Sequence, residues 1–144
     1  ELCSLAFHAG GDDGNLTSTL IFGDGAGAAL LEAGDGPGLE VVDAMSVLVP
    51  DTEDALGFDL TDEGFYPRLS RELAGVLAAP LGEAARDLLE RHCLRPADIG
   101  AWLIHPGGPR ILHTVEESFA LDRERLRWSW DSLREFGNTS SAAI

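Results

Sequence analysis

The sequence predicts a layered α/β fold. Three observations carry that reading. Short apolar, β-prone runs alternate with segments of helical period, and clusters of glycine and proline separate them. One short run, Ala101-Trp102-Leu103-Ile104, also ends in a histidine and two glycines just ahead of a helix. The 144 residues are 44% hydrophobic and 24% charged, which suits one folded domain and is too apolar for a disordered chain.

The elements follow in order. Leu2 to Phe7 is short, apolar and strand-like, and His8 to Asn15 is a polar loop rich in turn formers. That loop lacks the alternating oxygen ligands and distant glutamate of a calcium loop, so it reads as solvated. Thr17 to Phe22 is β-prone, and Ala28 to Leu31 begins a further strand beside a tight glycine turn, Gly23 to Gly27. After the break Gly34 to Gly38, the stretch from Leu39 to Val49 is a clear strand candidate, and Asp51 to Asp62 an acidic connection. Leu69, Leu73, Val76 and Leu77 repeat at helical spacing. Pro80 then opens a second helix, with Leu81, Ala84, Ala85, Leu88 and Leu89 on one face, ended by Arg95-Pro96. Ala101 to Ile104 reads as a buried strand, Ile111 to Phe119 as a helix, and Ser132 to Phe136 as a short helix capped by Gly137.

Charge and cysteine content exclude several functions. Residues 1–67 hold 14 acidic and no basic side chains, whereas residues 68–144 hold 11 acidic side chains against 10 arginines. The net charge of −15 repels nucleic acid and anionic membrane surfaces. No apolar run is long enough for a membrane span. Cys3 and Cys93 form no disulfide framework and match no metal spacing, which points to a reduced, cytoplasmic compartment. The chain opens in strand-like sequence at Glu1 and stops in the apolar run ending at Ile144, so both ends read as cut inside structure.

Three motifs bear on chemistry. Gly23-Asp24-Gly25-Ala26-Gly27-Ala28, with Asp43 some way on, approximates a dinucleotide fingerprint, but the break at Gly34 leaves no room for the crossover helix. Asp24 reads as a turn residue. His105-Pro106-Gly107-Gly108 sits where α/β folds place chemistry, its glycines allowing a ligand close to the backbone; the plainer reading is a satisfied core histidine. Asn138, after the capping glycine, reads either as a helix cap or as an amide donor to a developing oxyanion.

Together Phe22-Gly23-Asp24-Gly25-Ala26-Gly27-Ala28-Ala29, His105-Pro106-Gly107-Gly108-Pro109 and Phe136-Gly137-Asn138-Thr139-Ser140-Ser141-Ala142 resemble the thiolase-fold condensing enzymes. The His-Pro-Gly-Gly form is similar to that of type III polyketide synthases, the chalcone and stilbene synthase family, especially bacterial members. The resemblance implies a thiolase-like layered α/β/α fold in part: residues 1–33 as the end of the first half, and residues 34–144 as most of the second. It implies decarboxylative Claisen condensation of an acyl-CoA starter with malonyl-CoA by a homodimer, with no cofactor and neither nucleic acid nor membrane as partner. His105 and Asn138 would hold the malonyl-derived enolate, with Gly107, Gly108 and Phe7 against the substrate and Phe65 or Tyr66 lining the cavity.

The same resemblance places the nucleophilic cysteine before Glu1, which would leave these residues inactive by themselves and Cys3 a buried strand residue. Two alternatives stay open. A ketoacyl synthase III type of condensing enzyme shares the Gly-Asn-Thr-Ser feature but usually carries His-Gln-Ala-Asn in place of His105 to Gly108. A non-catalytic fragment is the other.

Overall fold

The computed structural model describes residues 1–6, 13–34, 36–62 and 64–143. The core is helical. Helix α1 spans Asp13–Ile21, strands β1 Leu56–Thr61 and β2 Gly64–Leu69 form a hairpin, and helices α2 Leu73–Arg91, α3 Pro109–Phe119 and α4 Arg127–Phe136 follow. Trp102, Leu112, Val115, Leu126 and Trp130 form the buried centre, with Leu81, Ala85, Leu89, Phe119 and Leu133 packed around them. Apart from Trp102 and Leu126, which lie on the segments between helices, these are the apolar stripes of α2, α3 and α4, turned onto one another.

Helices α3 and α4 follow their periodicity. Helix α3 starts at Pro109, whose missing N–H costs nothing there, and stops where Ala120 turns left-handed at φ 51°. Helix α4 begins earlier than Ser132, at Arg127, so that Trp130 joins the core, and it ends at Gly137 as expected. Helix α2 corrects the expectation of two helices: it runs through Pro80 without a break. An interior proline costs about 3 kcal/mol. The stripe Leu77, Leu81, Ala85, Leu89 is continuous across it, and each partly buried leucine returns a share of the about 1.5–3 kcal/mol that full burial is worth.

The other departures concern strands. Thr17 to Ile21, expected as β, is the end of α1, and the segment after Leu2 is a 3-10 helix over Cys3–Ala6. The acidic connection is instead the antiparallel hairpin, with Leu56 opposite Leu69 and Thr61 opposite Gly64. Leu39 to Val49 and Ala28 to Leu31 form no ladder, and Leu39 and Leu48 are exposed by 98% and 92%. Ala101 to Ile104 likewise has no strand beside it. It keeps strand-like alternation, with Trp102 inward and Leu103 outward, and is tied by Trp102 N to Arg125 O at 3.2 Å and by Ile104 N to the Ser129 hydroxyl at 2.8 Å. Among the described residues the hairpin is the one ladder of more than a single bridge, so α/β layering is visible here as extended segments against helices.

Candidate active site

The three motifs converge. Phe22 and Asn138 form an isolated parallel bridge: Asn138 N donates to Ile21 O at 2.9 Å and Gly23 N donates to Asn138 O at 3.0 Å. The glycine row makes that approach possible. A Cβ placed on Gly23 would lie 2.5 Å from Phe136 O, and one on Gly25 would lie 2.7 Å from Thr139 Cβ. Gly137, at φ 73°, passes so close to α1 that a Cβ would lie 2.8 Å from Ile21 O. The glycine segment is therefore an extended backbone laid on another backbone, which corrects the tight turn expected from sequence; neither Gly23, Gly25 nor Gly27 takes a positive φ. Asp24 accepts from Ser4 N and from the Ser4 hydroxyl, both at 2.7 Å, which anchors the first 3-10 helix.

Asn138 is only 4% exposed. Its Oδ1 accepts from Ser140 N at 2.9 Å, capping the 3-10 turn Ser140–Ala143. Its amide nitrogen points the other way and donates to Gly107 O at 3.4 Å. The cap and the donor are thus two ends of one side chain. A bond that long leaves the amide weakly held, with a second N–H to give.

His105 lies on the same loop. Its carbonyl accepts from Gly107 N at 2.9 Å, and its ring lies over Gly107, where a Cβ would sit 3.7 Å from Nε2. The residue is exposed, yet partial burial of the ring holds its pKa below the ordinary imidazole value of 6.5. It is neutral at neutral pH and has one N–H to donate. Gly108 caps α3 without a side chain, at φ 156°, and its carbonyl accepts from Ile111 N at 3.1 Å. Phe7 lies outside the described residues.

A cleft of about 860 Å3 adjoins this junction, lined by Leu2, Cys3, Leu5, Phe22, Phe65 and Pro67 among others, and reaching Gly23 and Ser140. His105 and Tyr66 are not among its lining residues. Phe58 and Phe65 meet edge to face in its wall, with centroids 6.2 Å apart. The hairpin that supplies them was hidden in sequence by its aspartates and glycines; the alternation of Leu56, Phe58 and Leu60 was the available signal. Cys3 is half-buried there. Burial, then the Glu1 and Asp24 carboxylates, push its thiol above the ordinary value, which keeps it protonated and a poor nucleophile. Cys93 is exposed just past α2. Among the described residues no cluster of histidine, cysteine and carboxylate could hold a metal, and no helix is long and apolar enough to cross a membrane.

Fold and junction together define a domain of the condensing-enzyme class. The model of chalcone and stilbene synthases, C-terminal domain, matches residues 40–144. All of the chain aligns with the 1,3,6,8-tetrahydroxynaphthalene synthase of Streptomyces peucetius subsp. caesius, at 40% identity over 40% of that protein. It also aligns throughout with a putative chalcone synthase of Bacillus subtilis, at 37% identity over 42% of its length. Among solved structures, the C-terminal type III polyketide synthase domain of Steely1 from Dictyostelium superposes on 98% of the chain, with a TM-score of 0.78 and 27% identity over 41% of that domain's chain. The 1,3,6,8-tetrahydroxynaphthalene synthase of Streptomyces coelicolor superposes on 67% of the chain, with a TM-score of 0.63 and 32% identity over 28% of its own. The chain belongs to the chalcone and stilbene synthase family, the type III polyketide synthases, and its fold is part of their thiolase-like α/β architecture. It spans about 40% of the length of the curated relatives it matches.

Proposed function

We propose that this domain serves decarboxylative Claisen condensation of an acyl-CoA starter with malonyl-CoA, using His105 and Asn138 to hold the enolate. One observation carries the reading: the buried Asn138 amide is aimed at the loop that holds His105, meeting it at Gly107 O. In the reaction the carboxyl carbon of the malonyl thioester leaves as CO2. The bonding pair passes into the thioester carbonyl, whose oxygen becomes anionic. Two neutral donors stabilise that oxygen without charging the site beforehand, and the His105 ring, whose pKa is lowered, and the buried Asn138 amide are such donors. The enolate carbon then attacks the starter carbonyl and expels its thiolate. Gly107 and Gly108 leave the loop open to the thioester. Coenzyme A thioesters are the only small molecules this chemistry calls for, and the family resemblance supplies the homodimer as its working unit.

Release of labelled CO2 from malonyl-CoA by the complete natural polypeptide tests this reading. His105→Ala and Asn138→Ala should each slow it by about 10²–10³, the usual loss for one oxyanion donor. Release at the unaltered rate from Asn138→Ala would leave that residue a cap of the 3-10 turn and overturn the assignment.

A further inference from the structure

A second groove, of about 580 Å3, lies between the start of α3 and α4 with the turn before it, and neither His105 nor Asn138 lines it. Its apolar walls are Pro109, Trp130 and Leu133, and its cations are Arg123, Arg127 and Arg134. Two of those cations are answered. Arg127 is bonded to Glu124, and Arg134 Nη2 lies 3.0 Å from Asp131 and 3.1 Å from Glu135. Arg123 differs. Its guanidinium lies over the Trp130 ring, 3.9 Å from the centroid, and it makes no side-chain hydrogen bond or ion pair among the described residues. Stacking occupies the flat face of the guanidinium and leaves its N–H edge for a ligand. The platform is fixed, because Trp130 is 9% exposed and donates Nε1–H to Glu116 at 2.7 Å.

We propose that this groove binds a small organic carboxylate, its carboxylate on the Arg123 fork and its apolar body against Pro109 and Leu133. A guanidinium edge donates two parallel N–H bonds to a planar carboxylate, a fit that a neutral group cannot match. An exposed ion pair alone is worth little, and the apolar walls add the contact area that such a pair lacks. The charges favour a monoanion. Three arginines against Glu124 and Asp131 leave the groove one uncompensated positive charge. A phosphate monoester carries about −1.5 to −2 near neutrality, and its excess would face those two carboxylates. The volume suits a small molecule. An occupant would touch Pro109, which follows Gly108, and Leu133, whose carbonyl accepts from Gly137 N at 3.1 Å. It would thus rest on the helices that flank the His105 loop and Asn138, apart from the thioester chemistry proposed above.

Equilibrium dialysis of the complete natural polypeptide against labelled benzoate, benzamide and phenyl phosphate tests this. Benzoate should bind, benzamide at least about tenfold more weakly, and phenyl phosphate less tightly than benzoate. Arg123→Gln keeps a hydrogen-bonding side chain without the charge and should weaken benzoate binding about tenfold or more. Arg123→Lys keeps the charge without the planar fork and should weaken it about threefold. Absent benzoate binding overturns the proposal, as do equal affinities for benzoate and benzamide or tighter binding of phenyl phosphate. Unaltered benzoate binding by Arg123→Gln overturns it too, since the acid would then sit elsewhere on the protein. Should Arg123→Gln fail to fold, Arg123→Lys carries that arm, and unaltered affinity there overturns the proposal. No arm involves turnover, so a negative result leaves the His105 and Asn138 reading to the CO2 assay.

Discussion

Gly25 rests on Thr139: a Cβ on the glycine would lie 2.7 Å from the threonine Cβ and 2.9 Å from its Cγ2. The contact presses the glycine row onto the segment that carries Asn138. Gly25→Ala should therefore destabilise the fold by about 1–3 kcal/mol, the usual cost of overpacking. Gly27→Ala should be nearly silent, because the nearest atom, Ala142 O, is 3.7 Å away. Denaturant melts of the two variants check the contrast. Equal midpoints would show that the row is not a packing device.

Trp130 lies between Arg123, whose guanidinium is 3.9 Å from the ring centroid, and His113, at 4.9 Å, and it donates Nε1–H to Glu116 at 2.7 Å. Trp130→Ala should cost about 3–5 kcal/mol by opening the core. Trp130→Phe should cost less, retaining most of the packing and losing the bond to Glu116. Chemical denaturation of both variants separates packing from hydrogen bonding.

His105 sets a pH dependence. Burial lowers its pKa below 6.5, so the folded chain binds fewer protons than the unfolded chain just beneath that value. Its contribution to stability is therefore full above 6.5 and falls as pH drops towards the lowered value. Malonyl decarboxylation should hold through neutrality and fail on an acid limb below pH 6.5. An NMR titration of the His105 ring locates the limb, and a value above 6.5 contradicts the burial argument.

Asp98 tests acid sensitivity elsewhere. The Arg95 side chain, then the Arg95 backbone N–H, hold its pKa at about 2 instead of 3.8. The pair stabilises the native state above 3.8, and that advantage drains away as pH falls through about 2. Asp98→Asn should lower Tm at neutral pH, with the gap to the unaltered chain closing over that window. A gap independent of pH would mean that the bond from Arg95 N matters and the charge does not.

What was legible in the sequence divides along physical lines. Helices α3 and α4 could be read because a local stripe of Ile111, Leu112, Val115 and Phe119, or a capping Gly137, decides their fate. Pro80 misled because a local rule was applied where a continuous stripe outweighs it. Thr17 to Ile21 looked extended because β-branched residues favour strands in isolation, yet they fold within α1. Leu39 to Val49 has the composition of a strand, but a strand exists only with a hydrogen-bonded neighbour, and no window of sequence supplies one. The His105 loop and Asn138 could be singled out through their motifs, and the structure brings that loop and the Asn138 side chain together. Gly107 O as the atom where they meet was not legible, because a carbonyl has no signature in the side-chain alphabet.

The anchorage of Asn138 in main-chain atoms has a consequence for how such a protein can vary. Ile21 O, Gly23 N and Gly107 O are present whatever side chains their residues bear, and the glycines hold their places through closeness alone. The side chains of Phe22, Phe58 and Phe65 can therefore be exchanged for larger, smaller or more polar groups without removing any of the bonds that hold Asn138. The position of Asn138 and the lining of the neighbouring cleft are set by different parts of the chain, so selection can reshape the one and leave the other still.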